Sequence, residues 1–172
     1  MSKHLEYIEN VQNIIEKIKN DGAESIKKTA EVFKDALVNN KSIYLFGTGH
    51  SHMLAEELFY RAGGLVKIKP VLSEPLMLHE SASESTKIER KQGLADSLFS
   101  EYEMKKGDVI VIISNSGRNG VIVDMALLCK KMGLTVIALT NINHTLSGDS
   151  RHESGKRLCE ISDITLDNFG CV

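Results

Sequence analysis

Between residues 42 and 166 the chain alternates short runs of branched apolar residues with longer segments of helical period, and this alternation constrains its fold more than any other feature. The runs lie at 42–46, 65–68, 109–113, 135–139 and 161–166. Each is too short for a core helix. Most are apolar at every residue rather than at every second one, the pattern of strands covered on both faces. The intervening segments 52–62 and 121–132 carry helical spacing and stop at Gly63-Gly64 and at Gly133. The second stop follows Lys130 and Lys131, which suit the negative end of a helix. Strands that alternate with helices pair in parallel, because each crossover returns the chain to the same end of the sheet. The expected class is α/β, a three-layer sandwich around a five-stranded parallel sheet.

Two helices are expected before the sheet, over 4–39. Leu5, Ile8, Val11, Ile14, Ile15 and Ile18 form one stripe at three-and-four spacing, and the helix they define ends near Asp21-Gly22. A second helix over 24–38 turns Ile26, Ala30, Phe33 and Leu37 one way and stops at Asn39-Asn40. Residues 75–104 form an insertion between strands two and three. In it PLMLHESASES reads as a loop and 85–99, with Ile88, Leu94, Leu98 and Phe99, reads as a helix. With no repeat or linker, 172 residues are expected to form a single domain over 1–172. The last predicted strand has no helix after it to cover its side of the sheet, so a C-terminal segment is expected to be missing after DITLDNFGCV.

Charge and cysteine usage exclude several functions. The chain holds 21 basic and 23 acidic residues, without the excess that draws a protein to nucleic acid or an anionic membrane. No apolar run approaches the roughly 20 residues of a membrane span. Cys129, Cys159 and Cys171 are odd in number and lack metal spacing, and MSKHLEYIEN has no signal-peptide core. A cytoplasmic location is expected.

The first run leads directly into a glycine-rich turn, IYLFGTGHSH at 43–52. A dinucleotide fingerprint needs a third glycine where His52 stands, and a P-loop needs a lysine that is absent. His50, His52 and His79 have no acidic or cysteine partner at ligand spacing, so neither metal nor cofactor is expected. Two readings of the turn stay open. Gly47 and Gly49 can admit an anion to free helix amides, with Thr48, His50 and Ser51 beside it, or Ser51 simply caps a helix. A second donor-rich turn, ISNSGRNG at 113–120, follows the third strand with Ser114, Asn115, Ser116, Gly117 and Asn119. Two such turns at the carboxyl ends of parallel strands can face one phosphate, and this favours phosphate over a plain turn.

GTGHS followed by SNSGRNG resembles the SIS (sugar isomerase) domain, a family that binds phosphosugars and includes phosphoheptose isomerase and N-acetylmuramic acid 6-phosphate etherase. The resemblance extends over about 24–167. The stretches AEELFYRAGG and SRHESGKRL make it most similar to bacterial proteins with a single SIS domain. It implies a flavodoxin-like strand order, a phosphorylated sugar or amino sugar as ligand, and phosphate held by Ser51, Ser114, Ser116 and Asn119. It also implies a homodimer or homotetramer with sites near subunit contacts.

Isomerisation of a sugar phosphate needs a base for the proton beside the carbonyl. In phosphoheptose isomerase and the etherase that base is a glutamate ten residues beyond the first-loop serine, a position held here by Arg61. Glu57, one turn earlier, can take its place or can pair with Arg61 at i, i+4. The insertion offers His79, Glu80, Glu84 and Glu89, with Glu84 equally placed to pair with Lys87. Arg151, His152 and Lys156 form a further polar cluster. The expectation is a sugar-phosphate isomerase or related enzyme working through an enediol or enolate, with Glu57 or Glu84 as base, His152 as acid or base and Arg151 on the ligand. A phosphosugar sensor without turnover and an etherase-type lyase are the alternatives, the lyase weakened by Arg61.

Overall fold

The computed structural model describes residues 2–171. Five strands form one all-parallel sheet: β1 (Ile43–Gly47), β2 (Ile68–Val71), β3 (Val109–Ile113), β4 (Thr135–Thr140) and β5 (Ile164–Asp167), in the order β2-β1-β3-β4-β5. The fold is the three-layer α/β sandwich that the alternation predicts, with the flavodoxin-like strand order.

Side chains of the central strands divide by parity, as the two-residue period of a strand requires. Tyr44, Phe46, Ile110, Ile112, Val136 and Ala138 face one layer. There α5 (Ala95–Glu101), α6 (Gly120–Lys131) and α8 (Leu158–Ile161) supply Leu98, Val121, Met125, Cys129 and Leu158. Ile43, Leu45, Val109, Val111, Ile113 and Ile137 face the other layer, against Ala36 and Phe33 of α2 (Ala23–Val38) and Ala55 of α3 (Met53–Leu58). Burial on both faces holds for β1 and β3, which are buried throughout, but every residue of edge strand β5 is only half-buried.

Several elements differ from the sequence reading. The second strand begins three residues late, at Ile68, and contains Pro70. As an edge strand it pairs only with β1, so the missing amide of Pro70 costs no ladder bond on its open side. Leu65 and Val66, expected inside the strand, lie outside it and are exposed. The helix expected over 52–62 is a 3-10 turn, Gly49–His52, followed by α3 of only six residues. It stops because Phe59 is extended and Tyr60 adopts φ +50°. The predicted loop before residue 85 is mostly helical: α4 (Leu78–Ile88) runs through it, broken at Ser81, and a turn separates α4 from α5. The short helices α7 (Ile142–Leu146) and α8 carry too few residues to show a period in the sequence. The amphipathic helix expected at 4–20 is present as α1 (Lys3–Asn20), but it buries none of its residues. No helix among the described residues is long and apolar enough to cross a membrane.

Candidate functional site

The strand order reverses between β1 and β3. The chain leaves β1 toward α3 on one face of the sheet and leaves β3 toward α6 on the other. The turns that follow the two strands therefore diverge, and a crevice opens between them at the strands' carboxyl ends. That crevice is a cleft of about 300 Å³. Thr48, Gly49, His50 and Ser51 form one wall and Ser114, Asn115, Ser116 and Asn119 the opposite one.

Glycine shapes both walls. A Cβ on Gly47 would stand 2.7 Å from the carbonyl carbon of Ser51, so only glycine lets the turn fold back on the end of β1. Gly117 has φ +58°, and a Cβ there would meet Thr145 Oγ1 at 3.0 Å. In the second turn the Ser114 hydroxyl accepts the Gly117 amide at 3.1 Å, which fixes the turn. Asn119 is the N-cap residue of α6 without a side-chain cap bond, and its side-chain oxygen Oδ1 accepts from the Arg151 guanidinium. Ser51 and Ser116, both half-buried, make no side-chain hydrogen bond among the described residues. Positive potential from a helix terminus comes mainly from α6, with twelve residues, rather than from the first turn, where a 3-10 segment and a six-residue helix sum few dipoles.

The insertion supplies the third wall. Leu78, Thr86 and Glu89 line the cleft from α4 and its C-cap. The Glu89 carbonyl accepts the amide of Val121 in the first turn of α6 at 3.2 Å, and its carboxylate accepts the Thr48 hydroxyl at 3.0 Å. A Cβ on Gly120 would stand 2.7 Å from the carbonyl oxygens of Arg90 and Lys91, so the insertion backbone seats directly on α6. These contacts hold Glu89 between the two turns. It is the acidic residue of the lining, and it joins no ion pair among the described residues.

The other sequence-predicted acids and bases lie elsewhere. Glu57 pairs with Arg61 on the exposed surface, as the i, i+4 spacing allows, and Glu84 pairs with Lys87 at 2.7 Å. Neither lines the cleft. His152 is buried behind the second turn, with Nε2 donating to Asp124 at 2.8 Å while Nδ1 accepts the Ser154 amide at 3.0 Å. Both ring nitrogens are engaged, which leaves the ring none for a substrate proton. Asp124 also accepts the Gly93 amide at 2.7 Å, so this network ties α6 to the insertion. Arg151 sits against the second turn rather than in the cleft, its amide donating to the Arg118 carbonyl at 2.9 Å. Leu158 donates likewise to the Gly117 carbonyl, so the SRHESGKRL stretch braces this wall.

His144, from α7, lines the cleft and was absent from the candidates drawn from sequence. The signal for it was positional: α7 follows β4, the strand beside β3, at the same edge of the sheet. A larger concavity of about 470 Å³ lies against β5, where four carboxylates, Asp21, Glu24, Asp163 and Asp167, stand against one lining lysine, Lys28, a balance that disfavours an anion.

Comparison with known proteins bears on the family and the fold. The sequence model of the SIS domain matches residues 6–141. A UPF0309 protein of Caldanaerobacter subterraneus is 46% identical over 165 residues, covering 95% of this chain and 67% of that protein. A UPF0309 protein of Shouchella clausii is 43% identical over 171 residues, covering 99% and 70%. This chain thus spans about two thirds of the length of these relatives. Among solved structures, phosphoheptose isomerase GmhA from Neisseria gonorrhoeae superposes with a TM-score of 0.60 at 23% identity, over 96% of this chain and 81% of that one. A phosphoheptose isomerase from Francisella tularensis superposes with a TM-score of 0.60 at 19% identity, over 97% and 85%. At such identity these structures speak to the fold. Together with a sequence match that spans the first turn, the insertion and the second turn, they lead to one conclusion: the chain belongs to the SIS domain family.

Proposed function

We propose that the chain binds a phosphorylated sugar or amino sugar in the cleft between β1 and β3, and that the protein isomerises it through an enediol or, where C2 carries an amine, through the corresponding enolate. The phosphate lies against Ser51, Ser116 and the start of α6, where free hydroxyls and a helix N-terminus favour an anion. Glu89 faces the sugar carbons and acts as the base that carries a proton between C2 and C1. The observation that carries the reading is the placement of this unpaired carboxylate in the same cleft as both serine turns. A carboxylate would repel the phosphate itself, so its place is beside the carbon skeleton. This assignment replaces Glu57 and Glu84, whose carboxylates are held by Arg61 and Lys87.

Incubation in deuterium oxide with a panel of aldose phosphates and 2-amino-aldose phosphates tests the reading. Deuterium should enter at C2, and Glu89→Gln should abolish its entry while leaving binding in place. Binding without exchange across the panel would establish the sensor instead. Exchange that survives Glu89→Gln would remove Glu89 as the base.

The exposed side chains of Leu54, Leu58, Phe59, Tyr60, Leu65 and Val66 cluster around the end of α3 and the approach to β2. A second copy of the chain covering this patch would give the homodimer that the family resemblance implies.

A further inference from the structure

We propose that His144 is a further catalytic residue, the hydrogen-bond donor to the oxyanion that forms on the substrate, and that Arg118 holds its ring in the form able to donate. The proposal rests on the isomerase reading above and gives that site a donor for the developing oxyanion beside its base.

The geometry fixes the tautomer. Arg118 Nη2 stands 3.3 Å from His144 Nε2. A guanidinium only donates, so Nε2 must accept and the ring's single proton sits on Nδ1. Nδ1 makes no hydrogen bond among the described residues, and the ring lines the cleft that holds Glu89. His144 thus differs from His152, whose two nitrogens are both engaged.

The pair is held in place from several sides. The side chain of Asn141 caps α7 by accepting the His144 amide at 2.8 Å. One residue further, Thr145 bonds to Thr140 at 2.8 Å and packs on Gly117 of the second turn. Arg118 is the residue after that glycine, and the backbone of Gly148 lies against its guanidinium so closely that a Cβ there would collide with it. Arg118 Nε is buried without a partner, so the guanidinium meets little competition for its contact with His144.

In the step itself Glu89 takes the proton from C2 of the open-chain aldose phosphate. The C–H electron pair becomes the C1=C2 bond and the carbonyl pair moves onto O1. His144 Nδ1–H donates a hydrogen bond to that oxyanion and keeps its proton. The proton of the C2 hydroxyl then passes to O1, the pair left on O2 forms the new carbonyl, and the C1=C2 pair takes the proton back from Glu89 at C1. Proton and charge balance with no co-reactant.

Two measurements decide the matter. Nitrogen-15 NMR of the histidine rings in the folded wild-type protein should show His144 neutral with its proton on Nδ1; a proton on Nε2 overturns the proposal. Deuterium exchange at C2, with glucose 6-phosphate and glucosamine 6-phosphate among the probes, should slow by about 100-fold or more in kcat for His144→Gln, with KM little changed. Arg118→Ala keeps the ring and removes its partner, and should lower kcat in the same sense, which covers the case in which the histidine variant fails to fold. Wild-type exchange that neither substitution slows overturns this proposal and leaves Glu89 standing. A wild-type protein that exchanges no probe overturns the isomerase reading and this proposal together.

Discussion

At the scale of single residues, the cleft rests on side chains that chemistry leaves free and on glycines that sterics require. Ser116 has an uncommitted hydroxyl, and a hydrogen bond to a charged oxygen contributes about 1.5–3 kcal/mol. Ser116→Ala is therefore expected to weaken sugar-phosphate binding about tenfold or more, read by calorimetry; unchanged affinity would remove the second turn from the phosphate site. The thiols give an independent check on packing. Burial disfavours the thiolate of Cys129 and pushes its pKa up to about 12. At pH 8 it should stay unalkylated in the native protein and react only on unfolding, whereas exposed Cys171 reacts at once; peptide mass spectrometry distinguishes the two. Burial and the neighbouring carboxylate of Glu160 raise the thiol of Cys159 as well, so it should react more slowly than an ordinary exposed cysteine.

At the scale of elements, the insertion is a structural wall of the site. Its attachment to α6 depends on the missing side chain of Gly120, against which Arg90 and Lys91 place their carbonyls. Gly120→Ala should displace the segment that carries Glu89, abolishing C2 exchange while α6 itself stays folded; circular dichroism with an exchange assay reads both. The Asp124–His152 pair holds the same assembly from the other side. His152→Ala leaves the half-buried Asp124 carboxylate with the Gly93 amide but without its ring donor, and should cost about 1–3 kcal/mol of stability in a denaturant titration. Its effect on catalysis should run through stability alone, because the ring is committed to structure. The helical spacing of 121–132 foretold α6 almost to the residue. The segment 75–104 was harder to read, because α4 carries only Leu78 and Ile88 as large apolar residues and is broken at Ser81.

At the scale of the whole molecule, apolar surface is left over. Val66 is 96% exposed and Tyr60 94%, and Leu5, Ile8, Val11 and Ile15 of the α1 stripe are exposed while Ile14 and Ile18 are half-buried. Sedimentation velocity should find a dimer of the wild-type chain, and Val66→Asp should shift it toward monomer through an unpaired charge in the contact; a wild-type monomer at micromolar concentration would overturn the proposed assembly.

The sequence by itself determined the class and the turns. Short apolar runs that alternate with helical spacing can be satisfied only by a covered parallel sheet, and GTGHS and SNSGRNG mark the ends of β1 and β3 because glycine and small donors have few other reasons to follow a buried strand. Tertiary structure decided which acid and which histidine line the cleft. Glu57, Glu84 and Glu89 look alike in one dimension, each near a helix and each within reach of a cation. Only the reversal of strand order, the seating of the insertion on Gly120 and the return of the chain after β4 bring Glu89 and His144 into the cleft. Those are contacts between residues dozens of positions apart, and local spacing carries no record of them.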